Sequence, residues 1–124
     1  MIIALDFDGT VTTHNYPHIG TDIGAIPVLK KIIAAKHKLI LYTMRHGPEL
    51  ENAVEYLKER GIEVWGINKN SQQWRWTKSP KIYAHHYIDD AAVGCPLIND
   101  ASVSDRPYVD WVKMEQALID LKII

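Results

Sequence analysis

The chain begins with MIIALDFDGTVTT, residues 1–13, and this stretch guides the interpretation of everything after it. An apolar run, Met1–Leu5, leads directly into two carboxylates one residue apart, Asp6 and Asp8, followed by a Gly-Thr pair. Carboxylates beside a buried strand carry a desolvation cost unless a cation, hydrogen bonds or solvent compensates them. The stretch therefore predicts a buried strand that ends in a polar site.

The composition is typical of an ordinary globular protein, rather than of a membrane protein or of one whose whole surface binds nucleic acid. The 124 residues are 47% hydrophobic and 23% charged, with a formal net charge of −1. This length predicts one domain spanning residues 1–124. Near-neutral charge argues against a nucleic-acid surface spread over the whole molecule but leaves a local one open. We interpret the lysine-rich run at 30–38 as a solvated helix face.

The first apolar run is too short to span a bilayer, and acids interrupt it where a signal peptide would continue. Cys95 is the single cysteine, so neither an internal disulfide nor a cysteine-rich zinc site is available. We expect a cytoplasmic protein with no membrane contact, in which Cys95 is a packing residue.

Apolar runs alternate with helical patterns along the chain. The runs predict strands at 2–5, 38–43, 62–67 and 83–90, with a short fifth strand in CPLIND at 95–100. Three helices are predicted. The first begins at about Ala25, because Pro27 is tolerated only in the first turn of a helix. The second spans 47–61 and ends at Gly61, and the third runs from about Val109 to Leu121. This alternation predicts an α/β fold, three-layer α/β/α and Rossmann-like, with helices on both faces of a mainly parallel sheet.

Polar residues follow three of the predicted strands, where a parallel sheet binds its ligands. Asp6 ends the first strand, Thr43 the second, and Asp89 and Asp90 the fourth. Carboxylates brought together raise one another's pKa unless a cation intervenes, and Mg²⁺ prefers such oxygen ligands. With Lys81 nearby, the groups suit a phosphoryl anion.

The same residues resemble the haloacid dehalogenase-like (HAD) hydrolase superfamily. DFDGT after an apolar strand is similar to its first motif, LYT ending at Thr43 to its second, Lys81 to its third, and YIDD to its fourth. The four motifs occur in order over residues 2–90. The resemblance implies a Mg²⁺-dependent phosphatase that hydrolyses a phosphate monoester.

The resemblance also implies residue roles. Asp6 would be the nucleophile that forms an aspartyl-phosphate, and Asp8 would be the general acid and base. Mg²⁺ would be held by the Asp6 side chain, the Asp8 backbone carbonyl and one acid of the Asp89–Asp90 pair, while the other acid of that pair orients the site. The catalytic set would be completed by Thr43 and Lys81, which bind the phosphoryl oxygens.

Substrate binding is assigned to Gly9, Thr43, Arg45 and Lys81, with Lys78 as an alternative to Lys81. Gly9 would permit the turn between the two acids. Adjacent His85 and His86 point to opposite faces of a strand, which disfavours a shared metal, whereas His14 or His46 is expected near the pocket.

The segments that carry an inserted cap in many members of this superfamily are short here, so we expect a capless enzyme. Such an enzyme accepts large substrates or closes its site by forming a homo-oligomer, and the loop QQWRWTK at 72–78 suits either role or simple packing. The expected partner is a small-molecule phosphate ester, with nucleic acid left open.

A phosphotransferase would share this site and differ only in its acceptor. Of three further alternatives, the sequence disfavours the first two. A haloacid dehalogenase would need neither Asp8 nor magnesium. A receiver-like phosphotransfer module would need a carboxylate at the end of its third strand, where EVWGI offers none. A catalytically silent module that binds phosphate or metal would keep the same residues.

Overall fold

The computed structural model describes all of residues 1–124 as an α/β fold around one parallel sheet. The sheet has the order β3-β2-β1-β4 and consists of β1 (Ile2–Leu5), β2 (Lys38–Leu41), β3 (Gly66–Ile67) and β4 (His86–Ile88). The helices are α1 (Ala25–Ala34), α2 (Gly47–Glu59) and α3 (Trp111–Asp120). A separate antiparallel pair is formed by β5 (Leu97–Ile98) and β6 (Tyr108–Val109).

The predicted α/β fold with a mainly parallel sheet and no cap is confirmed, and a three-layer Rossmann-like arrangement is compatible with it. Only a loop lies between Asp8 and α1, and only α2, β3 and a 3₁₀ turn at Gln73–Arg75 lie between Thr43 and Lys81. None of the helices combines the length and the apolar character needed to cross a membrane.

One face of the sheet and all three helices share a single core. Ile3 and Leu5 of β1 belong to the same buried cluster as Leu29 of α1, Leu57 of α2 and Leu118 of α3. Right-handed crossovers explain this arrangement, because β1, β2 and β3 follow one another in the same direction across the sheet, which puts α1 and α2 on one side.

The opposite face is also buried, although it lies outside that cluster. Ala4 and Ile40, which are paired in adjacent strands, are 1% and 0% exposed. The chain must cross back from β3 to β4 at the other edge, and the segment 68–85 makes this crossing. A Cβ on Gly66 would lie 2.4 Å from the Lys69 carbonyl, so this segment approaches the sheet closely. The layer over this face is therefore an irregular connection with one 3₁₀ turn, and the prediction of α-helices on both faces of the sheet is wrong.

Several predicted boundaries were wrong. β2 ends two residues before Thr43, and β3 is reduced to two residues because, as an edge strand, it pairs only with Ile40 and Leu41. The last helix begins after Val109, which belongs to β6, because the Asp110 side chain caps it by accepting hydrogen bonds from two backbone N–H groups.

Candidate functional site

The carboxyl ends of β1 and β4 bring three carboxylates together. Leu5 pairs with Ile88, and the Asp6 N–H extends this ladder by donating to the Ile88 carbonyl at 3.0 Å. Asp6 and Asp89 therefore leave adjacent strands side by side. One oxygen from each of Asp6, Asp89 and Asp90 lies within 4.8 Å of the others. The convergence predicted from the strand-end pattern is present.

A buried hydroxyl connects the two motifs. Thr10 is completely buried, and its hydroxyl donates to Asp6 Oδ2 at 2.8 Å while it accepts from the Asp90 N–H at 3.1 Å. The Thr10 carbonyl accepts from Trp111 Nε1 at 2.7 Å, so α3 holds the loop after β1 in place. No sequence signal identified Trp111 as this anchor, because the contact joins residues far apart in the chain.

Gly9 is required at this turn for two independent reasons. Its φ of +78° lies in the left-handed region, where side chains are strained. A Cβ at this position would lie 2.0 Å from His14 Nε2 and 2.7 Å from Asp90 Oδ2. The glycine thus leaves the space in which His14 contacts Asp90 at 2.8 Å. His14, rather than His46, is the histidine at the site.

The three carboxylates are not compensated by nearby lysine or arginine. None of their oxygens forms an ion pair with either residue type, and His14 is the only basic side chain that contacts the group. The pKa of Asp6 is raised to about 8, mainly by burial and further by the contact with Asp90 and the charge of Asp89. The hydrogen bond from Thr10 acts in the opposite direction and lowers this pKa. Hard oxygen donors with excess negative charge suit a divalent cation such as Mg²⁺. The residues present therefore fit the predicted magnesium site.

The Asp8 side chain does not join this group. Both of its oxygens bind Arg45, at 2.8 Å from Nε and 2.7 Å from Nη2. Only the Asp8 carbonyl, which accepts none of the backbone hydrogen bonds found in loops and turns, is left for the predicted metal contact. Asp8 therefore belongs to a partly buried ion pair beside the carboxylate cluster.

Arg45 was predicted to bind substrate, and the structure corrects that prediction. The side chain is 1% exposed. Besides its two bonds to Asp8, it donates to the carbonyls of Pro17, His18 and Glu49. Since a guanidinium has five N–H groups, none is left for a substrate. Arg45 instead fixes Asp8 against the loop that follows it and the first turn of α2.

Thr43 lies just beyond β2, at the same edge as Asp6. The Tyr42 N–H donates to the Leu5 carbonyl at 2.8 Å and so keeps this segment beside β1. The Thr43 hydroxyl accepts a hydrogen bond from the backbone N–H of Arg45, and the backbone N–H of Thr43 donates to Asn68 Oδ1 at 2.8 Å. Asn68 was missed by the sequence analysis, although its place directly after β3 marks the same sheet edge.

Lys81 does not contact the carboxylates in the structure. Its Nζ lies 5.9 Å from the centroid of the Tyr87 ring. Tyr87 precedes Asp89 by two residues, so both side chains belong to the face of the sheet opposite the helices. Lys78 instead lines a surface cavity with Trp74. Of the two candidates, Lys81 is the one on the side of Asp89.

The remaining reactive side chains do not form a second centre. Burial, and then the charges of Asp90 and Asp89, raise the pKa of Cys95, which packs partly buried against the core. His85 accepts the Ile2 N–H at the start of the sheet, far along the strand from Asp89.

Comparison with known proteins identifies a relative without a described activity. No family model matches the chain, and no curated protein matches it. The chain is similar to a solved structure described as a conserved protein from Bacteroides thetaiotaomicron, with 36% sequence identity and a TM-score of 0.78. The match covers 98% of this chain and 91% of that one, so the two belong to the same family.

Proposed function

We propose that this protein is a Mg²⁺-dependent phosphohydrolase of the HAD type that cleaves a phosphate monoester through an aspartyl-phosphate at Asp6. The observation that carries the proposal is the cluster of Asp6, Asp89 and Asp90, whose oxygens lie within 4.8 Å of one another with no lysine or arginine paired to them. The four motifs that resemble the superfamily support the same activity. The single cysteine supports a reducing compartment, and we propose the cytoplasm.

In the first step, a carboxylate oxygen of Asp6 attacks phosphorus, and the bond from phosphorus to the ester oxygen breaks. Asp8 in its protonated form gives its proton to the leaving oxygen, so the products are an alcohol and the aspartyl-phosphate. A protonated carboxyl oxygen is a weaker acceptor than a carboxylate oxygen, so the Arg45 bond to the Asp8 oxygen that carries the proton weakens in this state.

In the second step, water attacks the phosphorus of the aspartyl-phosphate and loses a proton to Asp8. The bond from phosphorus to Asp6 breaks, which yields inorganic phosphate and restores both side chains. Asp8 alternates between acid and base, so the cycle needs no other proton carrier.

The metal would be held by Asp6, by the Asp8 carbonyl and by one acid of the Asp89–Asp90 pair. When bound, Mg²⁺ supplies positive charge that lets anionic groups approach one another. Thr10 fixes Asp6 through its 2.8 Å hydrogen bond, and His14 fixes Asp90 through its contact at the same distance. These two partly buried contacts orient the carboxylates before any ligand arrives.

The phosphoryl oxygens would be bound by the hydroxyl of Thr43 and the ammonium group of Lys81. Thr43 follows β2 directly beside the end of β1, and Lys81 lies over Tyr87 on the sheet face shared with Asp89. Binding would require the flexible lysine side chain to move its charge toward the anion.

The experiment is phosphate release from p-nitrophenyl phosphate, with Mg²⁺ or with EDTA, for the natural chain and for Asp6→Asn. The substitution keeps the size of the side chain but removes the nucleophile. Asp100→Asn is the matched control, because Asp100 is an exposed loop acid whose side chain bonds only Ser102. We expect turnover that needs Mg²⁺, is lost in Asp6→Asn and is retained in Asp100→Asn.

Turnover that survives Asp6→Asn or proceeds equally in EDTA would contradict the proposal. Magnesium binding without turnover of any phosphate ester would favour the alternative of a catalytically silent module that binds metal or phosphate.

A further inference from the structure

A basic and aromatic segment covers the sheet face that carries Tyr87. Between Glu63 and Asp89 the chain has four cationic residues and no acidic one, although the whole chain has a net charge of −1. The four cations are Lys69, Arg75, Lys78 and Lys81. None of them forms an ion pair with a carboxylate. The segment is thus a local positive surface on a protein whose remainder is net acidic.

The segment also exposes its largest side chains. Trp74 and Trp76 are 71% and 59% exposed, which is unusual for tryptophan. Trp74 lines a surface cavity of about 350 Å³ together with Lys69 and Lys78. This volume falls within the range of ligand pockets, roughly 300–1,000 Å³. A cationic cavity beside an exposed indole suits an anion that also has a planar ring.

Two buried amides hold this segment in a fixed shape. Gln73 donates to the carbonyls of Ser79 and Lys81 and accepts from the Tyr83 N–H. Asn70 is also buried, and its amide donates to the Tyr83 carbonyl at 3.0 Å. The exposed rings are therefore presented on a braced loop, which lowers the entropy cost of binding.

The surface continues toward the candidate site. Tyr42 and Tyr87 are both exposed, and their ring centroids are 6.5 Å apart. Ala4 is paired with both Ile40 and Tyr87, so these three side chains point to the same face of the sheet. Side chains alternate between the two faces along a strand, so Asp6, two residues after Ala4, and Tyr42, two residues after Ile40, belong to that face as well. Lys81 lies over Tyr87. Lys81 at the end of the tryptophan loop, Tyr87 and Tyr42 thus lie on the sheet face to which the predicted nucleophile belongs.

We propose that residues 69–81, Tyr42 and Tyr87 form a binding surface for single-stranded nucleic acid, whose phosphorylated end is the substrate at Asp6. Several rings and four cations exceed what one nucleotide contacts, whereas a strand stacks successive bases on rings and places its phosphates on cations. Binding of the strand to this surface does not require the metal site. The identification of the phosphorylated end as the substrate rests on the proposed function.

The test is fluorescence anisotropy with a fluorescein-labelled oligothymidylate of about ten nucleotides that has hydroxyl ends, in EDTA. Three variants are compared with the natural chain: Trp74→Ala with Trp76→Ala, Lys69→Gln with Lys78→Gln, and the matched control Lys30→Gln with Lys58→Gln on α1 and α2. Each lost ring should weaken binding about fivefold or more. Loss of Lys69 and Lys78 should reduce the magnitude of the slope of log K against log salt concentration by about 1.4. The helix lysine control should change neither quantity.

Failure of the natural chain to bind, or equal binding to polyglutamate with no effect of the tryptophan substitutions, would overturn the surface. Dissociation of a dimer in sedimentation by those substitutions would assign the surface to a second copy of the chain and would also overturn it. Asp6→Asn separates the two proposals. Phosphate release is measured separately, with Mg²⁺, on p-nitrophenyl phosphate and on the same oligonucleotide carrying a terminal phosphate. Oligonucleotide binding by both the natural chain and Asp6→Asn, with no phosphate release from either compound, refutes only the proposed function. Asp6-dependent turnover of p-nitrophenyl phosphate without oligonucleotide binding refutes only the surface.

Discussion

Replacing Arg45 by methionine tests the ion pair that the sequence did not reveal. The substitution keeps an unbranched side chain but removes five hydrogen bonds, two to Asp8 and three to backbone carbonyls. Asp8 is 19% exposed, so its charge would be left largely buried without a partner. Removing one member of such a pair costs about 3–5 kcal/mol of unfolding free energy. That loss is a large share of the roughly 5–15 kcal/mol that stabilises a domain.

The measurement is urea unfolding followed by tryptophan fluorescence. With a slope of about 2 kcal/mol per molar urea, the expected loss lowers the midpoint by roughly 2 M. Arg106→Met is the matched control, because Arg106 is exposed and has no ion pair, and its effect should stay within about 0.5 kcal/mol.

A double-substitution cycle makes the reasoning refutable. Asp8→Asn combined with Arg45→Met removes both charges. The double variant should therefore lose less unfolding free energy than the sum of the losses in the two single variants, by at least about 0.5 kcal/mol. Additive effects, or an Arg45→Met protein as stable as the natural one, would show that this contact does not hold the loop after β1.

Three further predictions concern the carboxylate site. Because the pKa of Asp6 is raised in the folded chain to about 8 from 3.8, folding favours its protonated form, and this contribution to stability is lost as pH rises from about 4 to about 8. Asp6→Asn should therefore stabilise the protein in EDTA at pH 8 more than at pH 5, by thermal unfolding; a constant difference would refute the raised pKa. His14→Ala should weaken Mg²⁺ binding about 10- to 100-fold in calorimetry, with His46→Ala as the unaffected control, because His14 orients Asp90. Gly9→Ala should lower the thermal midpoint, since its Cβ would overlap His14; an unchanged midpoint would mean that this turn is adaptable.

Local patterns predicted much of the fold because they report local physics. Pro27 correctly marked the first turn of α1, and Gly61 correctly marked the end of α2. The strand-end rule correctly brought Asp6 together with Asp89 and Asp90, because it depends only on parallel pairing.

Non-local contacts explain the predictions that failed. Val109 was included in a helix because its pairing with Leu97 bridges an irregular segment that has no periodic signal. The last helix was predicted to run to Leu121, but it ends at Asp120, and Leu121 is exposed.

Arg45 shows the same limit within the site. An arginine two residues after Thr43 is equally compatible with a substrate contact and with an internal ion pair. The choice depends on Asp8 and on three carbonyls from two other segments, which only the folded chain brings together.

The most direct test of the central claim is to trap the covalent intermediate at Asp6. The protein is mixed with a phosphate monoester and Mg²⁺, quenched in acid during turnover and reduced with borohydride, which converts an aspartyl-phosphate into homoserine. Peptide mass spectrometry then locates the altered residue. We expect homoserine at position 6, dependent on substrate and on Mg²⁺. Modification of another aspartate, together with phosphate release that persists in Asp6→Asn, would contradict the account.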